Sequence, residues 1–276
     1  MRNLLPYLGD TFSLYEEAIA NKNSGHDKTL LTNSKELIKD YYNEYDLHFA
    51  SNTLNLIPGR RVNGSLHKAL FDLYSYNSKV VRKIRSTLIE INPKTVNGVC
   101  QHCGFNSSDT MDHILPRSNN SEYSVNARNL IPSCTDCNRR KNASDILNLY
   151  TDILPQVEYL FMDVLADGDT IDFVFRLDNT SGLVDATLFD RITRHYSKLD
   201  LFERMKIKAQ SEFRGFIISI NQWYKFAGKE QVINSVMDSL TELREAYGFN
   251  YWQVAFYKGL VNSTVFWDYY ENGLLE

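Results

Sequence analysis

Cys100-Gln101-His102-Cys103, Met111-Asp112-His113-Ile114-Leu115-Pro116 and Cys134-Thr135-Asp136-Cys137-Asn138-Arg139-Arg140-Lys141 crowd one short segment of the chain. The two CxxC pairs hold all four of its cysteines, and thirty residues separate Cys103 from Cys134. Two sulfurs in a CxxC reach one ion across a tight turn. Four thiolates so placed close a tetrahedral zinc site with no open position. The expected zinc is a staple, not a catalyst. His102 is a further ligand candidate, but it lies inside a CxxC turn and is expected to point away.

Asp112 and His113 lie between the pairs. A carboxylate beside an imidazole supplies a hard oxygen ligand and a base tunable near neutral pH. Alone, an Asp-His pair is common by chance. Here it is followed by Asn126-Ala127-Arg128-Asn129-Leu130-Ile131-Pro132-Ser133-Cys134, then by Cys137-Asn138-Arg139-Arg140-Lys141. The last string is expected to open a helix running through Ile146 and Leu149.

In this order and spacing the segment resembles the HNH endonuclease family, whose members often read CxxC…DH-I-x-P…N-L…CxxC-H/N-x-x-K. The likeness covers about 50 residues from Cys100. It implies a ββα-metal finger, two strands and a helix gripping one divalent cation. It implies His113 as general base, Asp112 and Asn138 as ligands of the catalytic metal, and Asn129 as the residue that orients the base. It also implies Cys100, Cys103, Cys134 and Cys137 as ligands of structural zinc. The substrate implied is DNA, cut to 5′-phosphate and 3′-hydroxyl ends. Two oxygen ligands suit Mg²⁺ or Mn²⁺ better than Zn²⁺ or Ni²⁺. Arg117, Arg139, Arg140 and Lys141 are candidates for phosphate contact, with ordinary solvated charge as the alternative.

The net charge of -4 hides a division. Residues 60–141 carry +7 and the flanks -11, so the positive charge surrounds the cysteines. A local basic face is what phosphate attraction needs. Residues 142–276 carry -8. That acidic part is a candidate docking surface for a regulatory partner, such as an ATPase. A zinc-stapled nucleic-acid-binding protein without catalysis is the other alternative. The set Asp112, His113, Asn129 and Asn138 argues against it, since a mere binder has no need of all four.

With 43% hydrophobic residues, 17 Tyr and 15 Phe against only 6 Pro, the chain is expected to be α+β and mostly helical. Residues 1–95 read as a helical region, 96–148 as the finger, and 149–276 as a β-hairpin plus helices. Leu37, Ile38, Tyr41, Tyr42 and Tyr45 have helical spacing and read as core. From Leu66 to Ile91 the pattern is one amphipathic helix or two, with a joint near Asn77 and a stop at Asn92-Pro93. Its polar face, Lys79, Arg82, Lys83 and Arg85, is either solvated or set against phosphates. Val157–Ala166 and Thr170–Leu177 alternate as strands around Asp167-Gly168-Asp169. Leu201 to Ile217 and Val232 to Leu243 mark two long helices, the second stopping near Gly248. The aromatic group Tyr251, Trp252, Phe256, Tyr257, Phe266, Trp267 and Tyr269 reads as core or as a protein-binding surface.

No run approaches 18 apolar residues, and Met1-Arg2-Asn3-Leu4-Leu5-Pro6 lacks an export signal. A cytoplasmic protein without a membrane span is expected. In a reducing compartment, metal binding is favoured over disulfides. The flanks, with Asn148-Leu149-Tyr150-Thr151-Asp152 and Asp190-Arg191-Ile192-Thr193-Arg194-His195-Tyr196, resemble the tails of stand-alone bacterial HNH proteins, several of them linked to defence against phage or plasmids. His195 reads as a packed or solvated helix residue. Oligomeric state and sequence preference leave no mark on the sequence.

Overall fold

The structure is a computed structural model that describes residues 1–92, 98–143 and 146–275. The chain divides into two compact units, Arg2–Leu154 and Pro155–Glu276. The N-terminal helices and the finger share the first. The boundary expected after residue 95, like the helix stop at Pro93, lies outside the described residues.

The first unit opens with α1 (Thr11–Ala20), α2 (His26–Asn33), α3 (Lys35–Ala50), α4 (Gly64–Phe71) and α5 (Lys79–Ile91). Asp10 caps α1 by accepting from the Phe12 amide, and Ser78 caps α5 by accepting from Val81. Each satisfies a helix-end donor that has no partner within the helix. The region read as one helix or two is therefore two. The joint is the turn between Phe71 and Lys79, around Asn77. In α5, Val80, Val81, Ile84 and Leu88 are buried, while Lys79, Arg82 and Lys83 are exposed. Lys83 pairs with Glu17 at 2.6 Å, and the Arg85 guanidinium lies 4.4 Å from the Tyr76 ring centre. Two of the four cations on this face are thus already engaged.

Of the α3 residues read as core, Ile38, Tyr42 and Tyr45 are buried, while Tyr41 is half-buried and Leu37 is exposed. Tyr45 and Tyr42 pack their rings 4.8 and 6.1 Å from that of Tyr123. Tyr123 ends a single 3₁₀ turn, Ser121–Tyr123, within the finger. Aromatic pairs of this kind add about 0.5–1.5 kcal/mol each beyond the area they bury. They fix the finger's connecting loop to the N-terminal helices.

The finger is β1 (Thr110–His113), β2 (Leu130–Ser133) and α6 (Thr135–Lys141). The strands run antiparallel, with Asp112 opposite Ile131 and His113 opposite Leu130. Cys134 caps α6, its sulfur accepting from the Cys137 amide. The helix does not run through Ile146 and Leu149 as expected. It stops at Lys141 because Asn142 turns to a φ of +52°, a conformation no right-handed helix continues through. Ile146, Leu147 and Leu149 are buried without helix, and the Leu149 carbonyl accepts from Leu4.

In the second unit, β3 (Leu160–Asp167) and β4 (Thr170–Leu177) form the expected hairpin. Its two-residue turn needs the left-handed φ of +59° that Gly168 supplies. The first strand begins at Leu160, later than expected. Just before it the Asn250 side chain accepts from the Tyr159 and Leu160 amides. α7 (Ala186–Lys198) follows, with His195 fully buried. α8 (Leu201–Tyr247) is broken at Gly228, whose φ of +76° separates the two helical stretches legible in the sequence. α9 (Trp252–Val261) and α10 (Thr264–Glu271) bring Trp252, Phe256, Phe266 and Trp267 into the core. Of that aromatic group these four are core, while Tyr251, Tyr257 and Tyr269 are half-buried. Among the described residues, no helix is long and apolar enough to cross a membrane.

Gly259 of α9 faces the Met162 backbone of β3, and a side-chain carbon there would overlap the Met162 carbonyl oxygen. A backbone atom inside a hairpin cannot swing aside. Gly259→Ala is therefore expected to destabilise the second unit by about 1–3 kcal/mol. The check is the urea midpoint; an unchanged midpoint would mean that α9 stands off β3.

Candidate active site

The cysteines come together as their spacing requires. Their four sulfurs lie within 4.8 Å of one another and all four residues are buried. Backbone bonds shape the first knuckle: the Cys100 amide donates to Asn106, and the Gly104 amide donates to Cys100. Hydrogen bonds with the other three thiols, that of Cys100 foremost, hold the Cys134 thiol far below its usual range. Four buried sulfurs this close together fit one zinc ion at ~2.3 Å from each sulfur.

Next to this cluster a cleft of about 600 Å³ opens, with Asp112, His113, Arg117, Asn138 and Arg139 on its walls. Phe71 and Tyr74, from α4 and the turn beyond it, complete it. The structure thus brings Asp112, His113 and Asn138 to one place.

His113 Nε2 lies 2.9 Å from the Ser124 carbonyl oxygen. A carbonyl only accepts, so Nε2 carries the hydrogen and Nδ1 is left as the basic nitrogen. The Tyr74 ring meets the imidazole edge-on at 4.7 Å. Burial pushes the imidazole down to about 4, opposed by the Ser124 carbonyl and reinforced by the Arg117 cation.

Asp112 is 2% exposed. His102 Nε2 donates to its Oδ2 at 2.9 Å, and Lys141 Nζ donates to Oδ1 at 3.0 Å. Burial acts to raise the Asp112 carboxyl, but Lys141 and His102 overrule it and hold it down to about 2. Asn138 turns its amide nitrogen to the Met111 carbonyl and the Thr110 hydroxyl, at 3.4 and 3.5 Å. Its oxygen is the donor it has left for a cation. A carboxylate with further lone pairs and an amide oxygen, on an open cleft, suit a hard divalent ion that keeps several waters.

Asn129 is buried behind the cleft. Among the described residues its bonds go to the chain just after His113 and to Tyr123 and Tyr45, not to the imidazole. Its Oδ1 accepts from Leu115, its Nδ2 donates to Leu115 and Tyr123, and its carbonyl accepts from Ile114. Any orienting of His113 by Asn129 runs through the backbone.

The four phosphate candidates part ways. Arg117 donates to the carbonyls of Phe71 and Tyr74, with its guanidinium 3.9 Å from the Phe71 ring centre. Arg139 is largely exposed and pairs with Asp136 at 3.3 Å; Arg140, half-buried, shares that partner. Exposed pairs of this sort are worth about 0–1 kcal/mol and yield readily to a phosphate. Lys141 corrects the expectation. It is 3% exposed, and its ammonium binds Asp112 and the carbonyls of His113 and Ile114. A cation enclosed in this way is not a phosphate contact.

Sequence reasoning missed Tyr74, Ser124 and the inward turn of His102. His102 stays outside the sulfur cluster as expected, but nothing local to the sequence shows that its ring reaches Asp112. Tyr74 carries no local signal, since it meets Met111 and His113 only through the fold.

Residues 100–144 match the HNH endonuclease family model. The finger is an HNH domain. Over 240 residues the chain is 25% identical to protein ea31 of Escherichia phage lambda, covering 76% of this chain and 78% of that protein. No solved structure gives a significant match. Within the HNH domain the knuckle cysteines, the strand carrying Asp112 and His113, and the helix carrying Asn138 form one continuous arrangement.

The buried HNH imidazole sets a pH dependence of stability. Above pH 6.5 it is neutral whether folded or unfolded. Between 6.5 and about 4 the unfolded chain binds a proton on His113 that the folded chain does not, so stability falls as pH falls through that window. The wild-type melting temperature is expected to drop more steeply there than that of His113→Gln. Equal slopes would show that the fold does not hold the ring neutral.

Proposed function

We propose that the chain is a metal-dependent endonuclease that hydrolyses phosphodiester bonds of DNA. The observation that carries this reading is the meeting of His113, Asp112 and Asn138 on one cleft beside Arg117 and Arg139. Nδ1 of His113 takes the proton from the attacking water, a contribution typically of ~10²–10⁴-fold. The Ser124 carbonyl and the Tyr74 ring fix the imidazole while it does so. Asp112 and Asn138 would hold Mg²⁺ or Mn²⁺, which would supply Lewis-acid stabilisation of the phosphate and of the departing 3′ oxygen. Arg117, held rigidly against Phe71, and Arg139, loosely paired at the rim, contact phosphates. The zinc knuckle takes no part in the chemistry.

Supercoiled plasmid incubated with the protein is expected to be nicked or linearised with Mg²⁺ or Mn²⁺, and to survive in excess EDTA. His113→Ala is expected to lower the rate by at least about 100-fold while the protein keeps its melting profile at neutral pH. A variant that cuts at the wild-type rate would remove His113 from the mechanism.

The biological setting we infer is defence against phage or plasmid DNA. Its support is the likeness of the flanking strings to tails of stand-alone HNH proteins of that kind. Expression of the wild type, but not of His113→Ala, is expected to reduce phage plating or plasmid transformation. Equal efficiencies across a panel of phages and plasmids would reject this setting and leave the nuclease reading untouched.

A further inference from the structure

His102 is 1% exposed, inside a CxxC turn whose other residues are buried with it. Its flanking residue Cys103 and, two residues back, Cys100 both belong to the sulfur cluster. Gln101 is held as well, its amide donating to the Pro132 carbonyl of β2. The backbone on both sides of His102 is therefore clamped, and the imidazole has one way to go: inward, to Asp112. The contact is Nε2 to Oδ2 at 2.9 Å. A carboxylate paired with the Lys141 ammonium only accepts, so Nε2–H donates. Lys141 reaches the same carboxylate from the opposite element, α6, its ammonium 3.0 Å from each oxygen. Two donors on two clamped elements fix the rotation of this carboxylate. Rotation is the freedom an aspartate must lose to present a ligand oxygen in a set direction.

We propose that His102 is a positioning residue for the catalytic cation: it carries the geometry of the zinc knuckle to Asp112 and so sets the affinity of the cleft for Mg²⁺ or Mn²⁺. The inference rests on the reading that Asp112 holds that cation. It makes the zinc cluster more than a staple. Closing the knuckle also aims a ligand on the neighbouring strand.

The test uses the full-length, zinc-loaded protein and Mn²⁺ alone as probe, with zinc content by elemental analysis and Mn²⁺ affinity by electron paramagnetic resonance. His102→Phe fills the same space without a donor. It is expected to retain the wild-type zinc content and to bind Mn²⁺ about 10–100-fold more weakly. His102→Gln, which keeps a side-chain N–H, is expected to recover most of that loss. A residue that only packs the knuckle would give the opposite order, with Phe as good as wild type and Gln no better. Equal Mn²⁺ affinity for wild type and His102→Phe overturns the proposal. If His102→Phe does not fold, His102→Ser, too short to reach Asp112, decides by the same affinity comparison. If both lose zinc, His102 is a determinant of the knuckle itself and the proposal is overturned. Wild-type protein that binds no Mn²⁺ would instead reject the underlying assignment of Asp112 as a metal ligand.

Discussion

Four sulfurs within 4.8 Å of one another join the two ends of the finger. Between Cys103 and Cys134 lie two four-residue strands and a loop, far too little apolar surface to fold alone. One ion held by these four sulfurs would supply what the short strands cannot, since binding free energy at such a site is folding free energy. Everything that lines the cleft hangs from this closure. β1 carries Asp112 and His113 away from the first knuckle. The second knuckle starts α6, which returns Asn138 to the same strand.

A second set of constraints comes from the N-terminal helices. Tyr42 and Tyr45 pack against Tyr123, and Asn129 ties Tyr123 to Leu115. Ser124, next in the chain, supplies the carbonyl that fixes the His113 tautomer. The electrostatics run along the same lines. The acidic group is kept ionised in the interior by two donors, and the imidazole is kept neutral by burial. One acceptor and one base thereby coexist on adjacent residues of β1.

What could be read in the sequence was local. The CxxC pairs, the Asp-His step, the hairpin around Gly168 and the two stretches either side of Gly228 each declare themselves within a few residues, through ligand spacing, period-two alternation or helical period. The misreadings share the opposite property. Lys141 looks like any cation in an Arg-Arg-Lys run, and only the closeness of α6 to β1 shows that its ammonium is enclosed. The short α6 depends on a left-handed turn at Asn142, a residue that tolerates that conformation without announcing it. Arg117 and Tyr74 are more than forty residues apart in sequence, and no periodicity connects them.

Phe71 and Tyr74 belong to the helical region, yet they form a wall of the cleft and grip Arg117. The HNH segment is therefore not a portable cartridge. Cut out and grafted elsewhere, it would keep its cysteine loops but lose the Phe71 and Tyr74 side of the cleft. Nor is the turn after α4 independent of the finger: its Tyr74 hydroxyl donates to the Met111 carbonyl of β1 and its ring meets His113 edge-on. A change of shape in that turn would be felt at once by the imidazole on β1.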